Sequence, residues 1–198
     1  MQTEYEATFI NIDKDEIREK LKKVGAILVK PEILMKRYIF YLPQGHDKPG
    51  AFVRVRDEGD KITMSFKVIA RGGSANIEDQ KELCLTIDSF NNAVEFLKEM
   101  GCTEKAYQES KREVWQIIET EICIDEWPFL EPFVEVEGPS EQEVKDVSEK
   151  LGFDYSQALF CAVGTIYAKK YGKYNIDEKR INNETPRIVF DMENPFVK

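Results

Sequence analysis

The chain has 198 residues, of which 42% are hydrophobic and 33% are charged, and its formal net charge at pH 7 is −9. This composition is typical of one folded domain, and it excludes an intrinsically disordered chain, which would be less apolar. The acidic balance excludes unspecific binding to nucleic-acid duplexes, because that affinity depends on clustered Lys and Arg side chains.

The sequence also excludes a membrane span. No apolar run approaches the about 20 residues that such a span needs, and the N-terminal MQTEYEATF lacks the basic and apolar regions of a signal peptide. We therefore expect a cytoplasmic protein that does not bind membranes. The four cysteines are scattered without a CxxC pair and His46 is the single histidine, so no zinc site is predicted. We interpret the cysteines as small buried residues, and His46, in the turn-rich PQGHDKPG, as an exposed loop residue.

Three segments have the pattern of amphipathic helices with their own start and stop signals. Each begins after a residue whose side chain can cap a helix N-terminus, namely Asp13, Ser89 and Ser140. Each ends at a glycine, namely Gly25, Gly101 and Gly152. A fourth helix is predicted from Ser156 to about Tyr171.

Eight further segments alternate between apolar and polar residues, as strands do when one face packs in a core. In chain order they are EYEATFINI, KRYIFYL, AFVRVRD, KITMSFKVI, QKELCLTI, KREVWQI, TEICIDEW and PFVEVEG. Only short or helical connections separate them, which favours an antiparallel sheet with helices packed outside. We predict an α+β domain over residues 1–172, followed by a tail, residues 173–198, that packs on the surface and adds a short strand near Ile188.

The second face of these strands carries charge in an unusual arrangement. Acids occur as i, i+2 pairs on two strands, namely Glu4 with Glu6 and Glu135 with Glu137. Two carboxylates so spaced point the same way about 7 Å apart, which is unfavourable unless a cation lies between them. A sheet with one face in water is the simpler interpretation of such faces. The segregation of acids and bases onto different strands favours instead a closed sheet whose charged faces line a tunnel.

Such a tunnel suits a polyphosphate with a divalent metal. Carboxylates are the ligands that Mg²⁺ or Mn²⁺ prefers. The predicted metal ligands are Glu4, Glu6, Glu82, Asp125, Glu135 and Glu137. Basic side chains bind phosphoryl oxygens directly, and Arg can do so with two parallel hydrogen bonds. The predicted phosphate-binding residues are Arg54, Arg56, Lys67 and Arg112.

The ordered set of charged residues resembles the CYTH superfamily, also called triphosphate tunnel metalloenzymes. The matching residues lie between about Thr3 and Gly138: the first ExE, the RxR of FVRVR, the lysine of SFK, Glu82, the arginine of SKREVW, the aspartate of CIDEW and the ExE of FVEVEG. The resemblance implies a closed antiparallel eight-stranded β-barrel that forms a triphosphate tunnel. It also implies divalent metal and activity on inorganic triphosphate, thiamine triphosphate, RNA 5′ ends or ATP.

One position departs from the family pattern, and at another the pattern does not decide which residue points inward. The family signature ExExK has Thr8 in its third position here, and a hydroxyl can donate a hydrogen bond to phosphate but cannot neutralise it. Either another base compensates or turnover is weak, and the candidate bases are Lys36, Arg37 and Lys170. In SKREVW, alternation favours Arg112 as the inward residue, whereas a bulge would present Lys111.

The sequence thus predicts a metal-dependent enzyme, a monomer or homodimer, that hydrolyses inorganic triphosphate or an organic one such as ATP or thiamine triphosphate. The predicted catalytic residues are Glu4, Glu6, Arg54, Arg56, Lys67 and Arg112, and Thr8 is placed in substrate binding. One alternative is a class IV adenylate cyclase, in which the ribose 3′-hydroxyl of ATP attacks the α-phosphorus and pyrophosphate leaves. Another is a protein that binds triphosphates or nucleotides without turnover.

Overall fold

The computed structural model describes residues 1–69, 77–174, 181 and 186–197. The strands in these residues are β1 Gln2–Thr3, β2 Tyr5–Ile10, β3 Ile27–Tyr41, β4 Ala51–Asp57, β5 Ile62–Ile69, β6 Gln80–Ile87, β7 Thr103–Ile117, β8 Thr120–Glu126, β9 Phe133–Gly138 and β10 Arg187–Ile188. The α-helices are α1 Lys14–Lys23, α2 Phe90–Glu99, α3 Glu141–Lys150 and α4 Val163–Tyr171. No helix among the described residues has the length and apolar character needed to cross a bilayer.

The strands form one curled sheet in the order β1-β6-β5-β4-β3-β7-β8-β9-β2, and β10 adds to β7 in parallel. The two ends of this order, β1 and β2, are consecutive pieces of the N-terminal strand, which pair antiparallel with β6 and β9 respectively. Between them, the backbone N–H of Glu4 donates to the carbonyl of Gln80 at 3.0 Å. The N-terminal strand therefore joins both edges of the sheet, which confirms the predicted eight-stranded antiparallel barrel.

The strands β3 and β7 are much longer than the sequence pattern predicted, with 15 residues each. They pair along their whole length, but the register shifts between Leu28 and Lys30 and again between Lys30 and Ile33. Pro31 lies in this stretch and has no N–H to donate to a ladder, so alternation is broken there. The prediction that the strand begins at KRYIFYL was therefore too short.

The three predicted helix caps are confirmed. The Asp13 carboxylate accepts hydrogen bonds from two backbone N–H groups of the first turn of α1, and Ser89 and Ser140 each accept one at the start of α2 and α3. The predicted start of the fourth helix at Ser156 was wrong. The backbone of Leu159 pairs instead with that of Thr8, through hydrogen bonds of 2.9 and 3.0 Å, so α4 begins only at Val163.

Three of the helices, α1, α2 and α3, cover the outer, apolar face of the barrel. Helices α1 and α3 pack on the β7, β8 and β9 side, and α2 packs on β3, β4 and β5. A third apolar cluster joins α4 to Trp127 and to Ile188 and Phe196 of the tail. The tail residues 175–180, 182–185 and 198 lie outside the described residues.

The cysteine and histidine predictions have mixed outcomes. Cys102, Cys123 and Cys161 are buried and His46 is exposed, as expected. Cys84 is exposed, contrary to the prediction. It lies on β6 beyond the short stretch that pairs with β1, so no neighbouring strand covers it on that edge.

Candidate active site

The inner face of the barrel encloses a cavity of about 800 Å³. Among its lining residues are the following predicted site residues: Glu4, Glu6, Arg54, Arg56, Lys67, Glu82, Arg112, Glu135 and Glu137. They come from six strands and from the joint between β1 and β2. Side-chain alternation therefore brought both signs of charge into one enclosed space, as the tunnel interpretation requires.

Two predicted site residues, Thr8 and Asp125, do not line the cavity. Thr8 is 1% exposed, and its backbone pairs with that of Leu159. Asp125 is fully buried, and both its oxygens accept hydrogen bonds from Arg112, at 2.9 and 2.7 Å. Asp125 therefore holds the Arg112 guanidinium in place, and its oxygens are not presented to the cavity.

The choice between Arg112 and Lys111 is resolved by their surroundings. Arg112 faces the cavity and also forms an ion pair with Glu135. Lys111 is outside it, where its ammonium group binds Glu126 at 3.2 Å and lies 4.8 Å from the centre of the Phe190 ring. The β7 alternation continues through this stretch without the bulge that would have exchanged the two.

One wall of the cavity is a cluster of paired charges around Glu82. Its carboxylate oxygens lie 3.1 Å from both Arg54 and Lys67, and Lys67 also lies 3.0 Å from Glu4. Burial, together with its hydrogen bond to Glu82, raises the pKa of Glu4 to about 7. Although burial opposes the shift, that hydrogen bond and the positive charge of Lys67 lower the pKa of Glu82. The pair therefore holds one proton between two carboxylates below about pH 7 and releases it above that pH.

Beside this cluster on the N-terminal strand, Glu6 is the direct cross-strand neighbour of Glu137, which lies on β9. Burial raises the pKa of Glu6, and the negative charges of Glu135 and Glu137 raise it further. Burial also raises the pKa of Glu137, as does the charge of Glu121. Two carboxylates that repel each other in a cavity wall favour a cation between them.

Arg37 is one of the three bases named as possible replacements for the lysine missing at Thr8, and it is the one of them that lines the cavity. Lys36 is exposed, and Lys170 binds the Phe129 carbonyl and Glu131, each at 2.8 Å, away from it. Alternation within KRYIFYL would have placed Arg37 on the inner face, because Arg37 shares a face with Ile39 and opposes the buried Phe40.

One end of the cavity, the aromatic end, is lined by Tyr41 and Phe52. The Lys105 ammonium group lies 5.4 Å from the centre of the Tyr41 ring and 5.9 Å from that of Phe52. Gln80, also in the lining, is 2% exposed and its side-chain N–H group has no hydrogen-bond partner. The other end, the helical end, is lined by Trp127 and by Val163 and Tyr167 of α4. The cavity therefore has charged walls between two less polar ends.

The comparisons with known proteins agree with this geometry. The model of the CYTH domain matches residues 2–163, which include the barrel strands β1 to β9. The chain belongs to the CYTH family. No match was found among curated proteins.

Solved structures share the CYTH fold at low sequence identity. The candidate adenylate cyclase from Vibrio parahaemolyticus superposes with a TM-score of 0.67 at 12% identity, over 79% of this chain and 92% of that one. The PH1012 protein from Pyrococcus horikoshii OT3 gives 0.64 at 18% identity, over 80% and 96%. The candidate adenylyl cyclase HpAC1 from Hippeastrum, described as having a dominant triphosphatase activity, gives 0.54 at 14%, over 85% and 96%.

The CYTH barrel offers a divalent cation two carboxylates rather than a complete cage. Within the part of the chain that the structure describes, no three His, Cys, Asp or Glu side chains are grouped as ligands for one ion. Mg²⁺ commonly takes only one or two protein carboxylates and completes its coordination with water and substrate phosphates. Glu6 and Glu137, with their raised pKa values, fit that mode of binding.

The CYTH barrel is expected to lose stability as the pH rises from about 5.5 to about 8 in EDTA, by about 1–3 kcal/mol. The pKa of Glu4 is about 7 in the folded protein and 4.5 ordinarily. Between these two pKa values the folded state holds a proton that the unfolded state has released, so the free energy of unfolding falls as the pH rises, and the loss is complete above about pH 7. Glu82, with its lowered pKa, stays ionised throughout. Urea unfolding at both pH values tests this, and a Glu4→Gln variant that falls just as steeply would contradict it.

The aromatic end of the CYTH cavity depends on Gly50, whose φ is +75°. A Cβ atom there would lie 2.0 Å from the Ile69 carbonyl oxygen, whereas one at Gly45, with φ +86°, would meet nothing within 4 Å. Gly45→Ala is therefore expected to cost about 1 kcal/mol, from backbone strain alone. Gly50→Ala is expected to cost at least about 2 kcal/mol more in free energy of unfolding, since Ile69 must move. Equal losses in the two variants would show that this contact is unimportant.

Proposed function

We propose that this chain binds a triphosphate inside the barrel cavity and hydrolyses it with a divalent cation, Mg²⁺ or Mn²⁺. The observation that carries the proposal is the convergence of Arg54, Arg56, Arg112 and Lys67 on a cavity that also presents the neighbouring carboxylates Glu6 and Glu137. A polyanion with its cation complements both sets of charges at once.

The basic residues would bind the nonbridging phosphoryl oxygens and stabilise the charge that develops on them. Arg54 supports this role, because its Nε–H group is buried without a hydrogen-bond partner. Burial, with the neighbouring charge of Arg56, lowers the pKa of Arg54 to about 10. An anion beside this guanidinium would accept a hydrogen bond from the Nε–H group and would compensate the buried positive charge. Arg112 is held for the same task by its two hydrogen bonds to Asp125.

Glu6 and Glu137 would hold the cation. When bound, it would polarise the phosphoryl group and lower the pKa of a water molecule. Glu4, which shares a proton with Glu82 near neutral pH, can take up or release that proton within the cavity.

The direct test measures three products separately. Phosphate, pyrophosphate and cyclic AMP are assayed after addition of inorganic triphosphate, ATP or thiamine triphosphate, with Mg²⁺ or Mn²⁺ and with EDTA. We expect phosphate release that requires the cation. If no product forms while a triphosphate still raises the melting temperature, the chain binds without turnover. If neither occurs, the proposal is wrong.

A second candidate, the adenylate cyclase reaction, is favoured by the aromatic end of the cavity. Phe52 lies two residues before Arg54 on the same face of β4, and Tyr41 lies beside it on β3. An organic group attached to the triphosphate would contact these rings while its phosphates reach Arg54. Cyclic AMP and pyrophosphate in equal amounts from ATP would identify this reaction.

A further inference from the structure

The cavity contains one arginine that no pair of opposite charges accounts for. Arg37 lies on β3, where it is the direct cross-strand neighbour of Arg56 on β4 and of Gln108 on β7. Its side chain lines the cavity and the residue is 5% exposed. A guanidinium group is almost always charged, so this position places a full positive charge in the wall.

The polar contacts of Arg37 leave part of its guanidinium group unsatisfied. One Nη2–H group donates to the Ser110 hydroxyl, and the guanidinium carbon lies 4.4 Å from the centre of the Trp127 ring. Its Nε–H group is buried and has no hydrogen-bond partner. A buried donor without an acceptor costs about 1–3 kcal/mol, so such groups in native proteins need an explanation.

The other arginines around Arg37 make its position less favourable still. Burial lowers the pKa of Arg37, and the positive charges of Arg56, Arg54 and Arg112 lower it further. Like charges directly opposite each other on neighbouring strands destabilise a sheet. The fold therefore holds a charge that both desolvation and three neighbours disfavour.

Each of those three neighbours has its own carboxylate. The pairs are Arg54 with Glu82, Arg56 with Glu58 and Arg112 with Asp125. Arg37 forms no ion pair with any carboxylate in the described part of the chain. The charge, the free N–H group and the repulsion would all be satisfied by one anion between Arg37 and Arg56.

We propose that Arg37 is a further triphosphate-binding residue, supplying from β3 the positive charge that Thr8 does not supply from β2. This inference rests on the proposed function. Thr8 lies outside the cavity lining, whereas Arg37 is held in it, against Trp127. Since Trp127 belongs to the helical end, the Arg37 and Arg56 pair binds the phosphoryl group farthest from Tyr41 and Phe52.

The decisive experiment compares Arg37→Met with Lys36→Met, its exposed neighbour on β3. Inorganic triphosphate is titrated calorimetrically in the presence of Mg²⁺. We expect Arg37→Met to weaken binding about 10- to 100-fold, since charge-assisted hydrogen bonds are lost, and Lys36→Met to match the unmodified chain. The melting temperature of Arg37→Met without ligand is expected to stay equal or rise, because an unpaired buried charge has been removed. Unchanged affinity, or a loss of affinity that only follows a loss of stability, would overturn the proposal.

A second measurement keeps the proposal testable if Arg37→Met does not fold. Trp127 contacts Arg37, so triphosphate binding there is expected to change Trp127 fluorescence in the unmodified chain. The other tryptophan, Trp115, is removed by Trp115→Phe to isolate the signal. Unchanged emission at saturating triphosphate would overturn the proposal.

Arg54→Gln separates this inference from the proposed function. If Arg54→Gln weakens triphosphate binding and Arg37→Met does not, the inference about Arg37 is wrong and the site stands. If the unmodified chain does not bind inorganic triphosphate, the proposed function itself fails.

Discussion

Replacing Glu6 or Glu137 with glutamine is expected to lower cation-dependent hydrolysis of inorganic triphosphate by about 100-fold or more. Each change removes a carboxylate charge at nearly constant side-chain volume, and these are the facing carboxylates of β2 and β9. The cation concentration needed for half-maximal activity is expected to rise in both variants. Steady-state assays across a range of Mn²⁺ concentrations measure the two effects.

The stability of the same variants distinguishes a lost ligand from a damaged fold. Burial and neighbouring negative charges raise the pKa of both carboxylates, so removing either charge should leave the free energy of unfolding in EDTA unchanged or higher. Glu119→Gln, in the exposed turn between β7 and β8, is the matched control and should retain full activity. Unchanged turnover in both Glu6→Gln and Glu137→Gln would remove these residues from the site.

Replacing Arg112 with methionine is expected to destabilise the barrel by about 3–5 kcal/mol. Asp125 is fully buried and binds this guanidinium through both oxygens, so the substitution leaves a buried carboxylate without its partner. Urea unfolding of Arg112→Met measures the loss. Lys111→Met, on the outer face, removes an exposed ion pair and should cost less than about 1 kcal/mol.

A double variant tests the cause of that loss. Arg112→Met combined with Asp125→Asn removes the unpaired charge as well, so part of the stability should return. A double variant no more stable than Arg112→Met would mean that Asp125 is not what makes the single change costly. Triphosphate binding should remain weak in both, since neither restores the guanidinium.

Sequence alternation predicted most of the charged side chains that line the cavity, because it depends only on local strand geometry. Arg54 and Arg56 oppose Val55, which is fully buried beneath α2, and Glu135 and Glu137 oppose Val136 on β9 in the same way. The helix caps were equally local, and their residues were identified correctly. Where regular alternation or a cap was present, the sequence predicted the element.

The pairing of charges could not be predicted, because it depends on the register between strands that are distant in the sequence. Lys67 meets Glu82 because β5 and β6 are neighbours in a particular register, and Lys67 meets Glu4 only through closure of the sheet. Alternation predicts that Asp125 and Glu137 both point inward. In the structure Arg112 binds both oxygens of Asp125, whereas Glu137 faces the carboxylate of Glu6. The spacing of residues along one strand does not distinguish these two cases.

The remaining differences come from interruptions in the pattern. Pro31 interrupts the alternation of apolar and polar residues, so the pattern does not indicate the first half of β3. The backbone pairing of Leu159 with Thr8 displaces the start of α4 and covers the residue at which the family signature departs. Both are tertiary effects that local periodicity does not report.

The closure of the sheet by its first strand has a consequence for folding. Tyr5 to Ile10 pair with β9, which ends at Gly138, so the two partners are separated by most of the chain. Contacts between such distant segments form late and slowly, because a long loop must be closed first. During synthesis, Tyr5 to Ile10 cannot pair with β9 until β9 has left the ribosome, so Glu6 has no cross-strand neighbour on that side before then. The pairing of Glu6 with Glu137 therefore does not exist in any nascent chain that ends before β9.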